Sequence, residues 1–176
     1  ESTYKGMTLQ LTKRYSSGLQ YDLSYTLGKG EDNAPVTSTL AVQGDDGLSD
    51  PSSLDRDKGP NIMDQRHTFA GSIVFAPKIE SGGVVGAIVN NNQLGVAIAV
   101  NSGLPQNIRA NRDLNADGVS ADRPIGIARN SVYLPARYNI DLRYSRMIPF
   151  NDRFKAELQA EFKNLLNTQQ TSALNN

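Results

Sequence analysis

The strongest constraint on this chain is a period of two. From Leu19 to Gly28 the odd positions read Leu19, Tyr21, Leu23, Tyr25 and Leu27, and the even ones Gln20, Asp22, Ser24, Thr26 and Gly28. Successive side chains of an extended strand point to opposite faces, so this run makes a strand with one apolar and one wet face. Upstream, Met7, Leu9 and Leu11 alternate with Thr8, Gln10 and Thr12. Only a short Ser16, Ser17, Gly18 stretch separates the two runs, which is a hairpin signal. Alternation returns around Phe69, Gly71, Ile73 and Phe75, then Leu94, Val96, Ile98 and Val100, then Tyr138, Ile140, Leu142 and Tyr144. It returns last in Phe154, Ala156, Leu158, Ala160 and Phe162. That segment is rich in helix formers, but a helix would scatter its charges and aromatics around the whole circumference, so a strand is expected.

Six strands are therefore expected, over roughly 4–15, 19–29, 67–76, 93–102, 137–148 and 153–164. Their connections alternate in length. Tight turns near Ser17 and Asn151, and a medium loop from Pro77 to Asn92 containing Gly82, Gly83 and Gly86, fall at one end. Long loops over 30–66 and 103–136 fall at the other. Loops of that length are uncommon in compact domains, and on one end of an antiparallel meander they match a transmembrane barrel of the outer-membrane type.

Composition narrows the classes. Eighteen basic residues balance eighteen acidic ones, which argues against a nucleic-acid binder. The absence of cysteine excludes disulfides, thiolate metal sites and cysteine nucleophiles. No run approaches the ~18 apolar residues of a membrane helix, a test that does not see barrels. A soluble β-sandwich or adhesin-like module would also alternate, and three features favour the membrane barrel over it. The strands have the length of about nine to eleven residues that a tilted strand needs to cross a bilayer. Aromatics at Tyr4, Tyr15, Tyr25, Phe75, Tyr138, Phe150 and Phe154 stand near strand ends, as interfacial girdles do. The polar faces carry Asp22, Asp141, Arg143, Glu157 and Glu161, as a watery lumen would. Six strands cannot close such a barrel, whose smallest type has about eight. The fold expected for 1–176 is thus all-β: an antiparallel up-and-down meander forming a segment of a large transmembrane β-barrel. The start at Glu1 and the polar end at Asn176 suggest a processed product or a fragment.

Tyr4-Lys5-Gly6-Met7 through Lys13-Arg14-Tyr15, Gly18-Leu19-Gln20 and Ser24-Tyr25-Thr26 together resemble the C-terminal barrel strands of Oar-like TonB-dependent transporters. Asp64-Gln65-Arg66-His67-Thr68-Phe69 is similar to that family's re-entry from a long loop, and Ser102-Gly103-Leu104-Pro105 to its strand exit. Asp113 through Pro124 resembles its Asp-Gly…Asp-Arg-Pro loop, and Asn139-Ile140-Asp141-Leu142-Arg143 its next strand entry. Glu161 through Asn167 is similar to its penultimate-strand signature, with Leu166 in place of an aromatic. The order and spacing of these motifs over nearly the whole chain carry the resemblance. It implies a cell-outer-membrane location in a Gram-negative bacterium and energy-coupled uptake of a large or scarce substrate. The implied partners are outer-membrane lipid, a plug domain and further barrel strands of the intact protein, and the TonB system. A porin-like or adhesin barrel without energised transport is the alternative within the membrane class.

One loop has metal-ligand spacing. Asp113, Asn115 and Asp117 place oxygen donors at the first, third and fifth positions, glycine follows at the sixth, and Val119 offers a seventh-position carbonyl. Pro124 stands where a bidentate glutamate belongs, and Asp122 is a displaced substitute. Calcium is the cation such a loop would hold. The same residues would also close an Asx-rich turn. Eight acidic residues from Glu31 to Asp64 against Arg56, Lys58 and Arg66 make the first long loop negative, suited to a solvated loop or to capture of cations. His67 is expected in a structural hydrogen bond at the barrel rim. No cofactor beyond that calcium and no catalytic residue is expected: Ser102 lacks a nucleophile-elbow context and Gly28-Lys29-Gly30 lacks phosphate-loop spacing.

Overall fold

The computed structural model describes residues 1–33, 54–116, 118, 122–151 and 153–171. Its long strands are β1 (Ser2–Ser16), β2 (Leu19–Asp32), β4 (His67–Phe75), β5 (Asn92–Asn101), β8 (Arg137–Pro149) and β9 (Lys155–Phe162). They pair antiparallel in the order β1-β2-β4-β5-β8-β9, each with its neighbour along the chain, so the meander has no crossover. Three two-residue strands belong to the long loops. β3 (Gly59–Pro60) pairs with the end of β2, while β6 (Pro105–Gln106) and β7 (Val132–Tyr133) form a separate ribbon. An α-helix, α1 (Gly83–Val89), lies in the connection between β4 and β5, which the sequence reads as a medium loop.

The turns follow from residue chemistry. Ser17 and Gly18 both have positive φ (50° and 79°), the conformation of a type I′ hairpin turn that matches strand twist. In the β8–β9 turn, the Asn151 side chain accepts the backbone N–H groups of Arg153 and Phe154 at 2.9 and 2.7 Å.

The registers carry the alternation coherently across the sheet. Leu11, Leu23, Gly71, Ile98 and Ile140 lie in one row; Leu9, Tyr25, Phe69, Val100 and Tyr138 lie in the next. Tyr21, Ile73, Val96, Leu142 and Phe162 make a third. The opposite face carries rows such as Thr8-Thr26-Thr68-Asn101 and Thr12-Asp22-Ser72-Ala97-Asp141. Among the described residues no second layer covers the apolar rows. Among the described residues only Ile62 and Leu134 are buried hydrophobics, and both lie in the long loops. Leu9 is 58 % exposed, Leu158 60 % and Phe162 51 %. A sandwich would bury these faces against each other. This sheet leaves a contiguous apolar surface far larger than a water-soluble domain tolerates, and its stability requires an apolar solvent.

Two of the expected girdle aromatics do other work. The β1–β2 register puts Tyr4 on the polar face, where its ring covers Gly6 and Gly28. A Cβ at Gly28 would stand 2.7 Å from the Tyr4 hydroxyl, so the pair of glycines is what admits the ring. Tyr15 follows a register irregularity between Lys13 and Ser16, and its hydroxyl donates to the Ala76 carbonyl at 2.8 Å.

Candidate functional site

Two surfaces can meet a ligand: the polar face of the sheet and the cap built by the long loops. On the polar face, side chains bond across and along strands. Thr8 and Thr26 hydroxyls are 2.9 Å apart, and Asp22 accepts from Gln10 at 3.0 Å and Thr12 at 3.1 Å. Arg143 pairs with Glu161 at 3.7 Å rather than with Asp141. Asp141 instead accepts the Asn139 amide and the backbone N–H of Asn164, both at 2.8 Å, which ties the segment after β9 back to β8. Between these polar clusters the wall carries only small side chains at Ala70, Ala97 and Ala99 and none at Gly95.

The loop cap is held by buried polar groups. Arg129, 1 % exposed, donates to the Asp32 carboxylate at the end of β2 and to the Asp57 carbonyl at 3.1 Å. Arg123 donates to the Asp57 carboxylate at 2.7 Å and to the Arg56 carbonyl at 2.5 Å, with both charged side chains almost fully buried. Asn130 donates to the Pro60 carbonyl at 2.8 Å. Asp64, 3 % exposed, accepts the Gly30 N–H at 2.6 Å, and Asn61 donates its N–H to the Gly30 carbonyl at 3.1 Å. The two long loops are thereby stitched to each other and to the rim of β2. Asp57 and Asp64 consequently serve as internal acceptors, not as cation-capturing charges. Asp45, Asp46 and Asp50 of the same loop lie outside the described residues.

The residues of the strand-exit and Asp-Arg-Pro motifs build this cap. Ser102 accepts the His67 N–H through its side chain at 3.1 Å and returns its own N–H to the His67 carbonyl at 2.8 Å. Gly103 lies so close to Leu134 that any Cβ would overlap the Leu134 carbonyl oxygen. Asp122 and Arg123 are both buried. No local signal reveals that Arg123 meets Asp57, because the partners are separated by 66 residues. Burial raises the Tyr133 phenol above its ordinary pKa, and the Asp64 carboxylate, 3.5 Å from its hydroxyl, adds to the rise.

The candidate calcium loop is partly in view. Asp113 accepts the backbone N–H groups of Ala116 at 2.6 Å and Gly118 at 2.9 Å. Asp122 accepts those of Leu114 at 2.6 Å and Asn115 at 3.2 Å. The fold brings Asp113, Asn115 and Asp122 into one turn, with Asp117 and Val119 outside the described residues. Ala116 and Gly118 have positive φ, as a turn wound around its own carboxylates requires. His67 accepts or donates at Nδ1 to the Tyr25 hydroxyl, 2.8 Å away, and stacks on its ring at 6.2 Å between centroids. That is the rim hydrogen bond expected for it.

An antiparallel meander with one bare apolar face, one wet face and every long loop at the same end is the wall of an outer-membrane-type β-barrel. The chain belongs to the outer membrane beta barrel domain family, whose model matches residues 1–128. It is therefore a protein of the Gram-negative outer membrane; barrels of this type carry their tight turns at the periplasmic end and their long loops outside. No curated protein and no solved structure matches it.

Proposed function

We propose that the chain is a wall segment of a TonB-dependent outer-membrane transporter, in which further strands close the barrel and a plug domain fills the lumen. The observation that carries this reading is that the motif residues behind the Oar-like resemblance, Ser102, Gly103, Asp122 and Arg123, are among those that build the loop cap. The polar wall supports it. Charged ladders flanking a strip of alanine and glycine suit contact with another folded surface better than they suit a bare water channel. The unpaired outer edges of β1 and β9 require partners in lipid, where each unmet backbone group costs several kcal/mol.

The test uses the intact barrel, purified and reconstituted. A plugged, energised transporter is expected to hold planar bilayers closed and to bind the periplasmic domain of TonB. A steady open conductance without TonB binding would make it a non-energised barrel and overturn the proposal. Calcium in the loop of Asp113, Asn115, Asp117, Val119 and Asp122 is the second element of the proposal, supported by the metal-ligand spacing of the sequence and by the return of Asp122 to the backbone of Leu114 and Asn115. Calorimetric titration with calcium is expected to give binding heat and protection of the loop from protease. No heat and unaltered proteolysis would leave the loop as a self-satisfied turn.

A further inference from the structure

The helix α1 (Gly83–Val89) stands at the periplasmic end of the sheet and is apolar throughout its length. Val84 is 75 % exposed, Val85 57 % and Ile88 59 %, so its side chains form no core with the described residues. The side of the sheet on which it sits is fixed by its C-terminus. Helix ends leave their last four carbonyls without intrahelical partners. Here Gly86 O accepts the Asn90 N–H at 2.9 Å, and Ala87 O accepts Arg146 Nη2 at 2.8 Å. Ile88 O and Val89 O accept Asn92 Nδ2 at 2.5 and 2.9 Å. All four are satisfied.

The donors Asn92 and Arg146 face each other across β5 and β8 in the lipid-facing register, one step beyond the Leu94–Tyr144 pair. The Tyr144 hydroxyl and Arg146 Nη1 both reach the Asn92 Oδ1, at 2.6 and 3.3 Å, which fixes the Asn92 amide on that face. The end of α1 is therefore docked on the outside of the barrel, where Phe75 and Leu94 continue the apolar band down to the periplasmic boundary. A helix with apolar exposed residues, satisfied end carbonyls and a cation at its C-terminus suits the boundary between headgroups and acyl chains.

We propose that α1 is an interfacial anchor that inserts Val84, Val85 and Ile88 into the periplasmic leaflet and is held there by Arg146 and Asn92. Its occupant is phospholipid, because the surface it extends is the lipid-facing one. This inference rests on the lipid-facing assignment of the apolar rows and not on the transport reading.

The chain contains no tryptophan, so once any tryptophan elsewhere in the intact barrel is replaced by phenylalanine, a single introduced indole reports one position without background. Val85→Trp and Val84→Trp are made separately in the intact barrel, with Val96→Trp as a reference in the apolar band. Each is reconstituted in phosphatidylethanolamine–phosphatidylglycerol vesicles containing acyl chains brominated near the headgroup or near the chain end. The α1 indoles are expected to emit to the blue of free tryptophan and to lose more emission to shallow bromines than to deep bromines or to aqueous iodide. Adding Arg146→Ala to Val85→Trp is expected to shift emission to the red and raise iodide quenching. If both α1 indoles are quenched by iodide and not by brominated lipid while Val96→Trp is quenched by lipid, the anchor is refuted alone. If Val96→Trp also escapes lipid quenching, the lipid-facing assignment falls and the anchor falls with it.

Discussion

Replacing Asp57 by alanine should open the outer cap while leaving the barrel wall intact. The carboxylate is 1 % exposed and takes a 2.7 Å hydrogen bond from Arg123, whose own side chain is 2 % exposed. Removing one partner of a buried pair leaves an uncompensated charge, which typically costs about 3–5 kcal/mol. Arg123 keeps its bond to the Arg56 carbonyl and the Arg129 contact to Asp57 uses backbone, so the low end, ~3 kcal/mol, is the appropriate figure. As a local opening equilibrium that is roughly a 150-fold loss of protection. Hydrogen exchange read by mass spectrometry measures it directly. The cap amides of Asp64, Ala110 and Leu134, which donate to Asn61, Asp122 and Leu104, should exchange faster. Amides of β2 before Gly28, and those of β4 and β5 from Phe69 to Val100, should not change, because their ladder does not involve the cap. Adding Arg123→Leu to Asp57→Ala removes the other member of the buried pair and should restore much of the protection. Unchanged exchange in the cap of the single variant, or equal acceleration throughout the sheet, would refute the claim that this ion pair holds the loops independently of the wall.

Gly103→Ala should destabilise the β6–β7 ribbon by ~3 kcal/mol, since its Cβ has only the rigid Leu134 backbone to displace; protease cleavage within 103–136 is the readout. Gly28→Ala should be milder, about 1 kcal/mol by thermal unfolding, because only the far end of the Tyr4 side chain has to move. The raised pKa of Tyr133 means that the folded cap holds this proton more tightly than the unfolded loop does. Cap stability is then fully present below the ordinary phenol range and falls as pH rises past about 10 toward the folded value. Tyr133→Phe should reduce that alkaline loss of hydrogen-exchange protection, and an unchanged pH profile would contradict it.

The fold was legible because the apolar period is local. Leu19 to Leu27 declares its two faces without reference to any other segment, and the sheet order follows from pairing neighbours along the chain. Each long strand begins and ends within three residues of the span read from alternation. What stayed hidden depends on distance or register. Tyr4 looks like a girdle aromatic from its place near a strand end, but the pairing with Gly30 puts it on the wet face. The acidic first loop reads as solvated until Asp57 meets Arg123 and Asp64 meets the Gly30 amide. The glycines at 82, 83 and 86 read as loop, yet the intervening valines and alanine wind into α1 because Asn92 and Arg146 satisfy its end.

The central claim is that the two faces of the sheet meet two solvents. The chain has no cysteine, so in the intact barrel, with any cysteine outside this chain replaced by serine, single cysteines at each position from Met7 to Thr12 can be spin-labelled in membranes. Power saturation then compares collision with oxygen, which partitions into lipid, and with a water-soluble nickel chelate. Positions 7, 9 and 11 should favour oxygen and positions 8, 10 and 12 the chelate, in strict alternation. Labels equally accessible to the chelate on both faces, or an alternation with the opposite phase, would contradict the assignment of the apolar rows to lipid.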